Sequence, residues 1–143
     1  MPIGKRVVII GGAMQGCELA EFLTIRGRKV TIVDIAEELG EGILSEPKNR
    51  LFKWMHIKKI SMITEVRDYK EITRTGLTII NKDGIEQTLE ADSIVTALPV
   101  VPDTSLLEKL KDKVPEIYAI GDCREPGLIA HAVADGAKIG RKV

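Results

Sequence analysis

The first apolar run of the chain shows no alternation. Arg6 to Ile10 reads RVVII, and its four consecutive branched aliphatics predict a strand buried on both faces. The rhythm then changes. Between Met14 and Arg26, Leu19, Ala20 and Leu23 fall on one stripe of a helical period, and Gly27 follows at the usual stop position. Lys29 to Asp34, KVTIVD, reads as a second buried strand. Strand, helix and strand within about 30 residues is the size of one βαβ unit. Such crossovers are right-handed and leave their two strands as parallel neighbours.

Ala36 to Ser45 carries Gly40 and Gly42 and shows no period. Ser45 is placed to cap a helix with Pro47 in its first turn. Leu51, Trp54, Met55 and Lys58 share one side of that helix, and the three apolar ones suit packing on a sheet. A third strand is expected at Ser61 to Thr64. The segments Tyr69–Thr73, Leu77–Asn81 and Ile85–Glu90 are short and are split by Thr75-Gly76 and by the turn NKDG. Asp83-Gly84 is a strong hairpin signal, so these predict a three-stranded antiparallel meander. Ser93 to Ala97 returns to an apolar run and predicts another parallel strand. Beyond Pro99 and Pro102 the pattern predicts a short helix at Leu106–Lys111, a strand at Ile117–Ile120 and a helix at Leu128–Lys142.

The junction of first strand and first helix carries the candidate chemistry. The dinucleotide-binding fingerprint G-x-G-x-x-G needs one glycine for the tight turn, one for close approach of a pyrophosphate and one for helix–strand packing. Gly11, Ala13 and Gly16 stand at these positions, with Gly12 keeping the loop small. Alanine at the middle position is tolerated only where the backbone angles suit it. The amides of Ala13, Met14 and Gln15 would sit at a helix N-terminus, where an anion is favoured. Asp34 lies 23 residues after Gly11, near the spacing of about 20 expected for a carboxylate that holds an adenosine ribose. The alternative role for Asp34 is that of a strand-end turn residue. Ile35, Ala36, Glu37 and Glu38 follow it, and none is basic. Arg26, Arg28 and Lys29 lie at the other end of the strand. This pattern favours NAD(H) over NADP(H), because a carboxylate repels a 2′-phosphate.

Composition narrows the partners. The 143 residues carry no net formal charge, with 44% hydrophobic and 29% charged residues, which fits a globular domain. No basic face is implied, so nucleic acid is not an expected partner. No apolar run approaches the roughly 20 residues of a membrane span, and no signal-peptide pattern opens the chain, so a cytoplasmic setting is the expectation. Cys17 and Cys123 lack metal-ligand spacing; Cys17 reads as a core residue. No metal site and no catalytic acid, base or nucleophile is expected. His56 reads as a surface residue and His131 as a packed structural one. Glu18 either lies near a nicotinamide or pairs locally.

Several stretches together resemble the pyridine-nucleotide-linked flavoprotein oxidoreductase superfamily. VVIIGGAMQGCELAEFL is similar to its NAD-domain turn and KVTIVD to the strand with the ribose acid. EADSIVTALPVVPD resembles its exit strand, with Pro99 where a glycine is usual and Asp103 where an asparagine is usual. IYAIGDC resembles the second FAD motif, which implies that Gly121 and Asp122 meet the flavin ribityl or pyrophosphate region. LIAHAVADGAKIGRKV resembles the helix after it. The spacing of Ala132 and Gly136 resembles the C-terminal region of the NADH:flavin oxidoreductases of the 2-enoate and 2,4-dienoyl-CoA reductase type.

The resemblance implies an α/β fold, a Rossmann-like parallel sheet flanked by helices with a three-stranded meander. It implies an NAD(H)-binding domain over 1–98 and a C-terminal remnant of an FAD-binding domain over 99–143, packed with it. The expected function is the NADH-binding portion of a flavin-dependent oxidoreductase. Hydride would pass from NADH to flavin and on to an enoate, dienoyl or other acceptor. FAD would belong to the complete parent protein, and the isolated piece would be inactive. The expected partners are the dinucleotide and the remainder of the flavoprotein chain. An unpaired edge at Ile117–Ile120 would be a route to a homodimer. A stand-alone dinucleotide sensor and a non-catalytic structural relic are the competing readings.

Overall fold

The computed structural model describes residues 3–143. Two compact units divide the chain, the first ending at Leu98 and the second spanning Pro99–Val143.

In the first unit β1 (Arg6–Ile10) leads into α1 (Met14–Ile25), and β2 (Lys29–Val33) follows. Then come α2 (Ser45–Ile57), β3 (Ser61–Ile63), the strands β4 (Asp68–Ile72), β5 (Gly76–Ile80) and β6 (Glu86–Glu90), and β7 (Ser93–Thr96). The parallel sheet has the order β3-β2-β1-β7, with Val7 opposite Val30 on one side and Ser93 on the other. The meander is a separate antiparallel sheet in the order β4-β5-β6. Its tight turn is held by Asn81, whose side-chain oxygen accepts the Asp83 and Ile85 amides.

The unbroken apolar run of β1 now has its reason. Side chains alternate along a strand, and both faces of β1 are covered. Val7 and Ile9 pack with Cys17, Ala20 and Leu23 of α1 and with Met55 of α2. Val8 and Ile10 pack with Leu77 and Ile79 of the meander. Helices thus cover one face of the parallel sheet and the meander the other. This is the expected α/β, Rossmann-like architecture.

Local readings hold with small shifts, and two need correction. Arg26 is the C-cap of α1 and Gly27 follows at φ +76°. Ser45 is not the cap of α2. Leu44 takes that place with extended backbone, and its carbonyl accepts the Lys48 amide at 2.9 Å. The helix therefore begins one residue earlier than a hydroxyl cap would place it. No strand forms at 117–120. Ile120 has extended backbone (φ −137°, ψ 154°), but the second unit offers no strand to pair with it. That unit holds α3 (Ser105–Leu110), a 3-10 turn at Gly121–Cys123 and α4 (Ile129–Gly140).

A charged clamp secures the root of β1. Arg6 Nη2 lies 2.7 Å from Asp92 Oδ1 and Nη1 lies 2.6 Å from Glu90 Oε2, while the Arg6 amide donates to Asp92 Oδ2 at 2.8 Å. The hydrogen bonds from Arg6 hold the Asp92 carboxyl below the usual carboxylate range. A group lowered in this way contributes stability that is complete above its unfolded pKa of about 3.9 and is lost as pH falls through the folded value. Urea midpoints followed from neutral to strongly acid pH should therefore fall less steeply for Asp92→Asn than for the parent chain. Equal acid limbs would show that Asp92 contributes nothing.

Candidate functional site

The site is built where β1 stops. Gly11 has φ +107°, and a Cβ there would lie 2.5 Å from the Ala97 carbonyl oxygen, so only glycine makes this turn beside β7. The Gly11 amide donates to the Val33 carbonyl at 2.9 Å, which ties the turn to β2. A Cβ on Gly16 would overlap the Gly11 carbonyl oxygen, so the first turn of α1 approaches the strand end as closely as backbone allows. Ala13 is the N-cap of α1 with φ −67° and ψ −174°. These angles suit any L residue, so its methyl costs no backbone strain.

Asp34, half-buried at the end of β2, turns back onto this loop. Its Oδ2 accepts the Gly12 amide at 2.5 Å and its Oδ1 accepts the Ala36 amide at 2.8 Å. An ionised carboxylate has about four lone-pair sites. Asp34 therefore keeps capacity for two further donors such as vicinal hydroxyls. Burial pushes the Tyr69 phenol up to about 12, and the nearby Asp34 charge adds to that rise.

A segment that the sequence pattern left as irregular covers part of the loop. Leu39 is buried with its side chain against Gly12, where a Cβ would strike it. The Gly40 amide donates to the Gly12 carbonyl at 2.6 Å, and the Met14 amide donates to the Glu41 carbonyl at 2.8 Å. Gly12 is thus a packing glycine under a strap of residues 39–42. The only signals for the strap in the sequence were its lone leucine and paired glycines. None of the hydrogen bonds among the described residues uses the amides of Ala13 or Gln15, and α1 has no side-chain cap. Those two donors stay open at the positive end of the helix dipole. Cys17 donates its thiol to the Gly12 carbonyl at 3.2 Å, and burial raises it to about 11, which leaves it inert as a nucleophile.

Beside the strap a groove of about 330 Å³ is floored by Leu39, Phe52 and Met62, with Glu37, Glu38 and Lys48 on its rim. Lys48 Nζ lies 3.6 Å from Glu38 Oε2 and 5.7 Å above the Phe52 ring.

The structure brings Gly11, Gly12, Ala13, Met14, Gln15, Gly16 and Asp34 together in the first unit. Gly121 and Asp122 belong to the second. Gly121 has φ +64°, and its amide donates to Asp135 Oδ2 at 3.2 Å. That bond, with help from Arg124, holds the Asp135 carboxyl below its usual range. Asp122 Oδ1 accepts the Gly127 amide at 3.2 Å. Its carboxylate borders a groove of about 390 Å³ lined also by Leu128, Ala132 and Val133. His131 is not packed, contrary to expectation. It is exposed, because α4 turns that position to the surface of its unit, and its Nδ1 accepts the Leu128 amide at 3.2 Å. His56 is exposed as expected and Glu18 is exposed.

Residues 1–136 match the family described as pyridine nucleotide-disulphide oxidoreductase. The chain belongs to that family. It is 31% identical over 137 residues to an NADH oxidase of Thermoanaerobacter brockii, covering 94% of this chain and 21% of that protein. It is 26% identical over 144 residues to a cinnamate reductase of Clostridium sporogenes, covering 99% of this chain and 21% of that protein. The solved structure of a 2-naphthoyl-CoA reductase superposes with a TM-score of 0.90 at 28% identity, over 100% of this chain and 22% of that one. The chain therefore spans about a fifth of the length of these relatives. Family members are FAD- and NAD(H)-using oxidoreductases, and the relatives carry the homologous region inside larger chains. Among the described residues no helix is long and apolar enough to cross a membrane, and no cluster of side chains suits a metal.

Proposed function

We propose that residues 1–98 bind NADH within a flavin-dependent oxidoreductase and that residues 99–143 contribute Gly121 and Asp122 to its FAD site. The observation that carries this reading is the convergence of the Asp34 carboxylate on the glycine turn, with the Ala13 and Gln15 amides open beside it. The residues fit the dinucleotide in detail. Gly11 and Gly16 permit a turn that any Cβ would block, and Ala13 sits in an unstrained extended conformation. The two open amides at the α1 N-terminus receive the diphosphate. Asp34, already fixed by two backbone bonds, accepts from the ribose hydroxyls with its remaining lone pairs.

When bound, the two cofactors would supply the chemistry, a hydride donor in NADH and its acceptor in FAD. This chain binds and orients; none of its side chains has to move a proton. Cinnamate reductase and 2-naphthoyl-CoA reductase favour an enoate-type or thioester acceptor for the whole protein.

In this reading Asp34 faces the 2′ position, and the next two acids along the chain are Glu37 and Glu38, of which Glu38 is paired with Lys48 at 3.6 Å. Like-charge juxtaposition costs several kcal/mol, so calorimetry should show NADH binding at least about tenfold tighter than NADPH. Equal affinities would remove the carboxylates from the recognition. A second reading, a structural relic that binds no dinucleotide, is favoured by the cover of Leu39 over Gly12. It predicts no heat with NADH, NADPH or FAD.

A further inference from the structure

Glu41 stands between two left-handed glycines, Gly40 at φ +79° and Gly42 at φ +84°. Its carbonyl oxygen accepts the Met14 amide at 2.8 Å. Met14 opens α1, so its N–H is one of the first-turn donors that no helical carbonyl reaches. A diphosphate oxygen wants the same donor, for the same electrostatic reason. The two acceptors exclude one another.

Resting on the dinucleotide reading above, we propose that the Glu41–Gly42 peptide plane is a switch. A half-turn of this plane withdraws the carbonyl from Met14 and points the Gly42 N–H toward the diphosphate seat. One acceptor in the seat is exchanged for one donor. The anion then meets the amides of Ala13, Met14 and Gln15, with Gly42 as a fourth.

The surroundings permit this motion and confine it. Glu41 and Gly42 are exposed, and a Cβ at Gly42 would meet only Met14 Cβ, at an ordinary 3.6 Å. Leu39 and Gly40 are buried, and the Gly40 bond to the Gly12 carbonyl is 2.6 Å. The root of the strap therefore stays seated while the plane turns. Rotation carries φ of Gly42 from the left-handed region to the negative side, where every L residue is comfortable.

That change of sign makes Gly42→Ala diagnostic. Alanine disfavours the left-handed state, so the variant shifts toward the rotated, binding-competent plane. Apparent affinity rises with the competent fraction. Calorimetry should show NADH bound about threefold to tenfold more tightly than by the parent chain. Without cofactor, amide exchange at Met14 should be faster in the variant, because its acceptor has gone. Gly42→Asn, which tolerates the left-handed region, should behave like the parent in both measurements. A folded Gly42→Ala with equal or weaker NADH binding and unchanged Met14 exchange overturns the switch and leaves the strap a fixed support. If the parent chain gives no heat with NADH, the dinucleotide reading fails. The switch is then judged on Met14 exchange and on titration with inorganic pyrophosphate, where equal behaviour of parent and Gly42→Ala overturns it.

Discussion

Gly16→Ala is expected to destabilise the protein by about 3 kcal/mol, as overpacking at a site that cannot relax does. The added methyl would overlap the Gly11 carbonyl oxygen. That oxygen belongs to backbone held on both sides, by the Gly11 amide bond to Val33 and by the Gly12 amide bond to Asp34. Relief requires α1 to move away from the sheet, and Cys17, Ala20 and Leu23 would leave the core with it. The same displacement carries the Ala13 and Gln15 amides out of register, so NADH binding should vanish with the lost stability. Gly136→Ala is the matched control. Gly136 lies within α4, and nothing stands within 4 Å of an added Cβ there. Removing a helical glycine stabilises by up to about 1 kcal/mol. Urea denaturation of the two variants should move in opposite directions. A Gly16→Ala protein as stable as the parent would mean that the close approach of α1 to β1 is not rigid.

Asp34→Asn should give the largest loss of cofactor binding among substitutions that leave the fold intact. Asparagine keeps one acceptor oxygen for the Gly12 and Ala36 amides, and its NH2 group faces the other as a donor. Leaving one such donor unsatisfied costs about 1–3 kcal/mol of stability. Hydrogen bonds to a charged group contribute roughly 1.5–3 kcal/mol each. Weakening those to the two ribose hydroxyls should raise the NADH dissociation constant at least tenfold. The preference over NADPH should shrink at the same time, because the charge opposing a 2′-phosphate has gone. A variant that loses stability and keeps its NADH affinity would reduce Asp34 to a turn residue that only braces the glycine loop.

How far the sequence could be read depended on how local the determinant was. The run RVVII marks β1 because a strand covered on both faces needs no polar positions, and helices and meander do cover it. Gly27 ends α1, and Asn81 to Gly84 turn the hairpin, because a positive φ and a short side-chain bond act within a few residues. At Ser45 the same kind of signal misled. The cap available to a hydroxyl was overridden by a helix that starts at Ser45 itself, with Leu44 as its N-cap and Leu51, Phe52 and Trp54 then placed against the core. The extended backbone near Ile120 is compatible with a strand, but a ladder needs a neighbour, and its unit contains none.

By itself the sequence determined the order of elements in the first unit, the glycine turn and the acid that ends β2, since each depends on periodicity, backbone freedom or spacing along a few residues. Tertiary structure alone decided where Asp34 points and what lies over Gly12. The strap reaches Gly12 from 27 residues away, and Leu39 settles there because the crevice beside a side-chain-free backbone is the apolar space within its reach.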